Sequence, residues 1–240
     1  MNLRKDNFTL MNSEHSILLV DDEDDIREFL SYTLRKEGFI VHTAHDGNTG
    51  IKKAWDVKPH LILLDVMMPG IDGIEACKQI RSDPEMSSVI ICFLTARSED
   101  YSQIAGFEAG GDDYIIKPVR PRVLVSRVKA LLRRYRSDSE GYGDSIQVLG
   151  SCNLSLDRER FILHLEEKDI FLPRKEFELL SLLLTKPGKV FTRTEIYKKV
   201  WGEDIIVGDR TIDVHIRKLR EKVGCDIIKT IKGVGYKLKE

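Results

Sequence analysis

The chain has 240 residues, with 38 Lys and Arg against 39 Asp and Glu, and its formal net charge is −1. Its 42% hydrophobic and 32% charged residues are typical of a globular protein of one or two domains and exclude a disordered or fibrous chain. A net charge near zero excludes general attraction to nucleic acid, so such binding would need a local basic patch. No apolar run approaches the ~20 residues of a membrane helix, and the N-terminus has no secretory core. These features predict a cytoplasmic protein without membrane contact.

Short apolar runs alternate with amphipathic stretches between residues 16 and 134. The apolar runs are bounded by Gly, Pro or Asp and predict buried strands, while the stretches between them show helical spacing. The predicted strands are 16–20, 39–43, 61–65, 88–94 and 113–116. This alternation predicts an α/β domain in which one doubly wound parallel sheet of five strands is covered by helices on both faces.

Polar side chains end four of these strands. They are Asp21 and Asp22 after the first strand, Asp65 in the third, Thr95 after the fourth and Lys117 after the fifth. The carboxyl ends of parallel strands share one sheet edge, where ligands bind in open α/β sheets. Three carboxylates there repel one another, and a hard divalent ion such as Mg²⁺ would neutralise them. Taken together, the residues indicate a metal pocket in which Asp65 accepts a phosphoryl group as an acyl phosphate. Taken singly, each also fits a solvated polar residue at a strand end.

Four motifs in this region resemble the receiver domain of two-component response regulators, which has a flavodoxin-like fold. They are Val20-Asp-Asp-Glu23, Asp65-Val-Met-Met-Pro-Gly-Ile-Asp-Gly73, Leu94-Thr-Ala96 and Gly111-Asp-Asp-Tyr-Ile-Ile-Lys-Pro118. The resemblance covers residues 16–134 and implies that Asp65 is the phosphoacceptor. It also implies that a sensor histidine kinase supplies the phosphoryl group.

The resemblance assigns roles to the other residues of the pocket. Asp22 and Asp65 would bind Mg²⁺ together with the Met67 carbonyl, and Asp21 would act through water. Lys117 would contact the phosphoryl oxygens. Thr95 and Tyr114 would be the switch pair, in which the hydroxyl moves toward the phosphoryl group and the ring turns inward.

A dimer face is implied as well, formed by the fourth helix, fifth strand and fifth helix of phosphorylated receivers. The charged pairs that match this face are Asp113 with Arg127 and Glu108 with Lys129. The chain departs from the family at Gln103 and Val123, where a basic residue and a glutamate are common. Because both residues of this usual ion pair are replaced together, neither replacement leaves an unpaired charge. We therefore expect a homodimer face with one fewer ion pair.

Residues outside this domain show a different pattern. Residues 1–15 are expected to be an N-terminal extension, and the polar, glycine-containing residues 135–144 predict a flexible linker. From residue 145 to residue 240, four short apolar runs (146–149, 153–156, 160–164 and 169–172) favour an antiparallel meander. Two helices follow, and Thr192 with Glu195 forms a candidate capping box for the second.

The predicted helix from Asp209 to Val223 has an apolar stripe and a basic face. Nine Lys and Arg stand against four Asp and Glu from Asp209 to Lys239. The basic face alone also fits an ordinary solvated helix. A basic helix, two preceding helices and a following basic hairpin together predict an α+β winged helix-turn-helix domain. Its helix fits the DNA major groove, and its hairpin can reach the minor groove.

This half resembles the effector domain of OmpR/PhoB-type regulators. The matching motifs are Leu172-Pro-Arg-Lys-Glu-Phe-Glu-Leu-Leu180, Val200-Trp-Gly202, Asp209-Arg-Thr-Ile-Asp-Val-His-Ile-Arg-Lys-Leu-Arg220 and Lys229-Thr-Ile-Lys-Gly-Val-Gly-Tyr236. The implied phosphate contacts are Arg210, Thr211, His215 and Thr230, and the residues facing base edges are Val214, Arg217 and Lys218. Lys232 would lie in the wing, where the family often has Arg; Lys keeps the charge but loses the planar fork.

The sequence thus predicts a phosphorylation-switched transcription factor that binds tandem promoter half-sites as a dimer. RNA polymerase is a further candidate partner, through the loop at residues 201–208. An alternative is a Mg²⁺-dependent phosphohydrolase, but such enzymes carry a second Asp where Met67 stands. Another alternative is an adaptor that meets only proteins, and the basic helix argues against it.

Overall fold

The computed structural model describes residues 15–96, 105–140, 147–149, 154–157, 161–202, 211–224 and 227–239. The chain divides into two compact units, Met1–Arg133 and Arg134–Glu240. Within the described ranges, no helix is long and apolar enough to cross a membrane.

The first unit contains a parallel sheet of five strands in the order β2-β1-β3-β4-β5. The strands are β1 (Ser16–Val20), β2 (Ile40–Ala44), β3 (Leu61–Asp65), β4 (Ile90–Ala96) and β5 (Asp113–Lys117). Every residue of β3 is buried, as expected for a central strand covered on both faces. The predicted doubly wound parallel sheet is confirmed.

In the described part of this unit, five helices accompany the sheet, and two of them begin at an aspartate that caps the helix. They are α1 (Asp24–Lys36), α2 (Gly47–Val57), α3 (Gly73–Arg81), the helical residues 105–108, labelled α4, and α5 (Pro121–Glu140). Asp46 accepts a hydrogen bond from the Thr49 amide and Asp72 from the Glu75 amide, and both cap helix N-termini. A Cβ atom at Gly73 would lie 2.0 Å from the Asp65 carbonyl oxygen. Glycine therefore lets α3 start directly against the end of β3.

Helix α5 is longer than the sequence predicted. We expected it to end near residue 134, followed by a linker at residues 135–144, but it continues to Glu140. The reason is that no glycine or proline interrupts the chain between Pro121 and Gly141. Residues 141–144 of the predicted linker and residues 1–14 of the predicted extension lie outside the described residues.

The second unit contains two antiparallel sheets. The predicted meander is confirmed as β6 (Gln147–Leu149), β7 (Leu154–Asp157), β8 (Ile162–Leu165) and β9 (Lys168–Phe171), paired in sequence order. The other sheet has the order β10-β12-β11, from β10 (Phe191–Thr192), β11 (Ile228–Ile231) and β12 (Gly235–Leu238). Strand β10 was not predicted, because two residues are too short to show an alternating pattern.

Three helices pack against these sheets. They are α6 (Arg174–Leu184), α7 (Arg193–Ile196), which continues as a π-helical turn (Tyr197–Trp201), and α8 (Thr211–Val223). The predicted capping box is confirmed by reciprocal hydrogen bonds between Thr192 and Glu195. The apolar stripe of α8 is buried in the core with α6 and α7. The unit therefore has the predicted winged helix-turn-helix fold.

Candidate functional sites

Three carboxylates meet at the carboxyl edge of the parallel sheet. One oxygen from each of Asp21, Asp22 and Asp65 lies within 4.8 Å of the others. Asp21 is fully buried and Asp65 is 4% exposed, whereas Asp22 is exposed. Hard carboxylate oxygens reached from one open side fit a Mg²⁺ ion that keeps several waters. The three carboxylates that were expected at one sheet edge thus lie together in the structure.

Lys117 lies against the buried carboxylates of this pocket. Its Nζ is 2.9 Å from Asp65 Oδ2, 3.0 Å from Asp21 Oδ2 and 3.4 Å from Glu23 Oε1. One ammonium group therefore offsets part of the repulsion among the acids. The contact with Glu23 was not anticipated, although Glu23 directly follows the acidic pair in the sequence.

Burial and charge set the protonation of this pocket. Burial raises the pKa of Asp65, and the hydrogen bond from Lys117 opposes that shift only in part. Burial lowers the pKa of Lys117, but its hydrogen bonds to Asp65 and Asp21 outweigh that effect and raise it overall. Lys117 is therefore a cation at neutral pH and can balance a further anion bound beside Asp65.

The predicted switch residues lie on neighbouring strands beside the pocket. Thr95 on β4 and Tyr114 on β5 are both buried. The β4–β5 register pairs Phe93 with Tyr114 and Thr95 with Ile116, which puts Thr95 and Tyr114 on one face of the sheet. The Tyr114 ring packs edge-on against Phe107, with 5.8 Å between ring centroids. The ring is therefore inward in this structure, and Phe107 is a contact that sequence reasoning missed.

Two cations of the predicted dimer face have partners within the chain. Arg127 Nη1 is 3.1 Å from both carboxylate oxygens of the fully buried Asp113 and donates to the Tyr114 carbonyl at 2.8 Å. Lys129 Nζ is 2.5 Å from Glu37 Oε2. Glu108 and Val123 are exposed, and Gln103 lies outside the described residues. Pairing of these residues across a dimer stays a prediction.

A buried ion pair at the opposite edge of the sheet was also missed. Arg81 Nη2 is 2.7 Å from Asp112 Oδ2, and their side chains are 7% and 0% exposed. Arg81 also donates to the carbonyls of Gly110 and Met86, while Asp112 accepts from the Ile91 amide. This network joins α3 to the edge where β4 and β5 begin, and its position gives it a structural role.

The second unit presents most of the predicted DNA-contacting residues on its surface. Arg217, Thr230 and Lys232 are exposed, and Val214 and Lys218 are half-buried. Arg217 and Lys218 lie on α8, and Thr230 and Lys232 lie on β11 and the turn after it. The helix and the hairpin thus each present a basic side chain to solvent, Arg217 on α8 and Lys232 after β11. Arg210 lies outside the described residues.

The structure corrects the prediction for two residues of α8. Thr211 and His215 are 3% and 1% exposed, and the His215 ring packs 5.3 Å from the Trp201 ring. Both occur at four-residue spacing with the buried Leu219, so the stripe facing the core is wider than its aliphatic residues indicated. Burial, together with nearby lysines, lowers the pKa of His215 to about 3. A buried, neutral imidazole does not support the side-chain phosphate contact inferred from the resemblance.

The low pKa of His215 predicts acid sensitivity of the second unit. Protonation favours the unfolded chain, where the pKa is near 6.5, so stability is fully present above that pH and is lost as pH falls toward 3. At about 1.4 kcal/mol per pH unit, the loss is about 2 kcal/mol between pH 7 and pH 5. Urea unfolding of a Trp55→Phe background, followed by Trp201 fluorescence, measures it. His215→Leu should lose less stability between pH 7 and pH 5, because it has no imidazole to protonate. An equal loss would contradict the assignment of the acid sensitivity to His215.

The two units define a class of protein in which a domain with an acidic pocket at the edge of a parallel sheet is joined to a winged helix-turn-helix. The family model of the response regulator receiver domain matches residues 17–129. The model of the transcriptional regulatory protein C-terminal domain matches residues 167–238.

Full-length relatives extend these matches across both units. The chain is 38% identical over 227 residues to the phosphate regulon transcriptional regulatory protein PhoB of Rhizobium meliloti, covering 92% of this chain and 97% of that protein. It is 42% identical over 235 residues to the alkaline phosphatase synthesis transcriptional regulatory protein PhoP of Bacillus subtilis, covering 93% and 96%. A solved structure of a RitR mutant matches with a TM-score of 0.76 at 29% identity, covering 94% of this chain and 99% of that one. The chain belongs to the OmpR/PhoB family of two-component response regulators, with a receiver domain and a DNA-binding effector domain.

Proposed function

We propose that Asp65 accepts a phosphoryl group from a phosphohistidine of a sensor kinase. The observation that supports this most directly is the position of Asp65, a buried carboxylate with Lys117 on one oxygen and two further acids nearby. Asp65 would attack phosphorus as the bond to the histidine nitrogen breaks, and Lys117 would balance charge on the phosphoryl oxygens. Asp22, Asp65 and the Met67 carbonyl would hold Mg²⁺, with Asp21 acting through water; the ion would supply further charge neutralisation.

Phosphorylation would then act through the switch pair and a receiver dimer. The phosphoryl group would draw the Thr95 hydroxyl toward it, and the inward Tyr114 ring, packed on Phe107, would be retained. Receivers would pair through α4, β5 and α5, where the exposed Val123 stands in place of an acid. Pairing would place two effector domains on tandem half-sites, so each gains effective concentration from the other without new DNA contacts.

On DNA, α8 would enter the major groove. Val214, Arg217 and Lys218 would face base edges, Arg210 and Thr230 would contact phosphates, and Lys232 would lie at the wing. The loop at residues 201–208, most of which lies outside the described residues, would be available to RNA polymerase. Hydrolysis would be limited to slow self-dephosphorylation, because the thioether of Met67 can neither donate nor accept a proton for the reaction.

Site selection from a random DNA pool tests this function. The full-length protein is used with and without a small-molecule phosphoryl donor and Mg²⁺. The proposal expects a motif of paired half-sites that is enriched more strongly with the donor. Equal enrichment in both states would mean that the receiver does not control DNA binding. Failure to select any motif would favour the adaptor alternative.

Lys117→Ala is expected to separate phosphorylation from its consequence. Asp65 remains available as the acceptor, but the cation that orients the phosphoryl oxygens toward the switch is lost. Phosphate-affinity gels should show retained phosphorylation, while donor-dependent enrichment of DNA disappears. Lys58→Ala, which removes an exposed lysine paired with Glu85, is the matched control. Donor-dependent binding by Lys117→Ala would exclude this role.

Arg217→Ala is expected to weaken binding to the selected site by about 1–3 kcal/mol and to relax specificity at one base pair, as expected for loss of a bidentate base contact. The Arg217 side chain is 58% exposed on α8. Titrations of duplexes varied at each position measure both effects. Lys186→Ala, an exposed cation in the turn after α6, controls for the charge. A uniform loss across sequences would instead assign Arg217 to a phosphate.

A further inference from the structure

Asp213 is an acid on the helix that is proposed to enter DNA. Its side chain is 48% exposed, and it lies one turn before Arg217 on the same side of α8. A carboxylate facing phosphates weakens binding through charge repulsion, so charge alone does not favour an acid here. Its contacts give it a different role.

The Asp213 cluster consists of Arg193, Asp213 and Tyr236, which come from three different elements. The Tyr236 hydroxyl donates to Asp213 Oδ1 at 2.5 Å, and Arg193 Nη2 lies 3.1 Å from the same oxygen. Arg193 also donates to the Tyr236 hydroxyl at 3.2 Å and lies over its ring, with 5.1 Å from the guanidinium carbon to the ring centroid. The start of α8 is thereby joined to both α7 and β12.

The Tyr236 hydroxyl is well suited to this contact. The Tyr236 side chain is buried, and burial together with the hydrogen bond to Asp213 raises its pKa to about 12. The hydroxyl therefore stays protonated at neutral pH and remains a donor. A short hydrogen bond from a neutral hydroxyl to a carboxylate is stronger than a hydrogen bond between two neutral groups.

A second link joins α8 to the other strand of the hairpin. Arg220 Nη2 donates to the Ile228 carbonyl at 2.9 Å and to Thr230 Oγ1 at 2.7 Å, both on β11. Arg220 follows Asp213 by seven residues, so the two links lie on one face of α8 and about 10 Å apart along its axis. Two separated links fix the direction of the helix relative to the hairpin, whereas one would allow it to pivot.

We propose that Asp213 is a positioning residue for DNA binding, which holds the start of α8 against β12 and α7 so that Arg217 and Lys232 reach one DNA site together. This inference rests on the DNA-binding role proposed above. It also predicts the direction in which substitution of Asp213 changes DNA affinity. Loss of a positioning contact weakens specific binding, whereas loss of a merely repulsive acid tightens binding to every duplex.

The test uses full-length Asp213→Ala and Tyr236→Phe, with Glu221→Ala as the matched control. Glu221 is a second exposed acid on α8, and its ion pair is with Arg217 on the same helix. Amide hydrogen exchange without DNA is the first measurement. Both cluster variants should exchange faster in residues 235–238, while Glu221→Ala should not. Unchanged exchange in both cluster variants would overturn the proposal.

Binding to two duplexes is the second measurement. One carries the site selected by the wild-type protein, and the other is a scrambled sequence of equal length. Asp213→Ala and Tyr236→Phe should each bind the selected site about tenfold more weakly, as for loss of a hydrogen bond to a charged group, and bind the scrambled duplex no more weakly. Because they break the same contact, the double variant should lose little more than either single one. Lys232→Ala should also weaken binding to the selected site by a smaller factor in the Asp213→Ala background than in the wild-type protein.

The outcomes separate this inference from the proposed function. Tighter binding of Asp213→Ala to both duplexes, or unchanged specific binding, would overturn the positioning role while leaving DNA binding intact. A wild-type protein that does not distinguish the two duplexes would overturn the proposed function, and the positioning role with it.

Discussion

Asp65→Asn is expected to abolish phosphoryl incorporation and the donor-dependent part of DNA binding. The amide nitrogen cannot form the acyl phosphate, and the remaining amide oxygen is a poor nucleophile. The amide can still accept a hydrogen bond from Lys117, which lies 2.9 Å from Asp65 Oδ2 in the wild-type protein. The fold should therefore survive while the acceptor is lost.

Phosphate-affinity gels with the small-molecule donor and Mg²⁺ measure incorporation, and thermal unfolding checks the fold. Asp56→Asn makes the same chemical change at an exposed position on α2 and should behave as wild type. Full incorporation in Asp65→Asn would mean that another residue is the acceptor. Unchanged donor-dependent binding without incorporation would mean that the donor acts on DNA binding by another route.

Arg81→Ala is expected to destabilise the receiver by about 3–5 kcal/mol, because it leaves Asp112 as a buried carboxylate without its cation. The carbonyls of Gly110 and Met86 also lose their donor. An effect of this size is a large fraction of the stability of an ordinary domain. It should appear as poor accumulation of the folded protein as well as a lower unfolding midpoint.

Urea unfolding followed by far-ultraviolet circular dichroism measures this loss. Arg81→Lys keeps the charge but not the three-way donor geometry, so its loss should be intermediate. Lys58→Ala breaks the exposed pair with Glu85 and should change stability little, because solvent screens such pairs. Equal losses of stability in Arg81→Ala and Lys58→Ala would mean that burial does not strengthen the contribution of the Arg81–Asp112 pair.

The receiver pocket was predictable because its residues occur where strands end. Asp21, Asp65 and Lys117 are far apart in sequence, but each stands at the end of a short apolar run. A parallel sheet brings strand ends to one edge, so these runs were enough to place the three residues together. The stripe of Ile212, Ile216, Leu219 and Val223 was predictable for a similar reason, since helical spacing determines which residues share a face.

Other features depend on tertiary contacts that no local pattern contains. Arg81 and Asp112 are 31 residues apart, and neither lies at a position whose spacing indicates burial. The resemblance implied a phosphate contact for His215, and its burial beside the Trp201 ring became visible only in the folded structure. The links from Asp213 to Tyr236 and from Arg220 to Thr230 likewise required the hairpin to be placed against the helix.

The close packing of Gly73 has a genetic consequence. Any side chain at this position would collide with the Asp65 carbonyl, and the equivalent collision at Gly235 would involve the Phe191 carbonyl, again at 2.0 Å. Each site thus relies on a hydrogen atom where every other amino acid has carbon. In a saturation screen, most substitutions at these two codons should be null, although neither glycine has a side chain to offer phosphate or DNA. The codon for the exposed Met67 should accept many replacements.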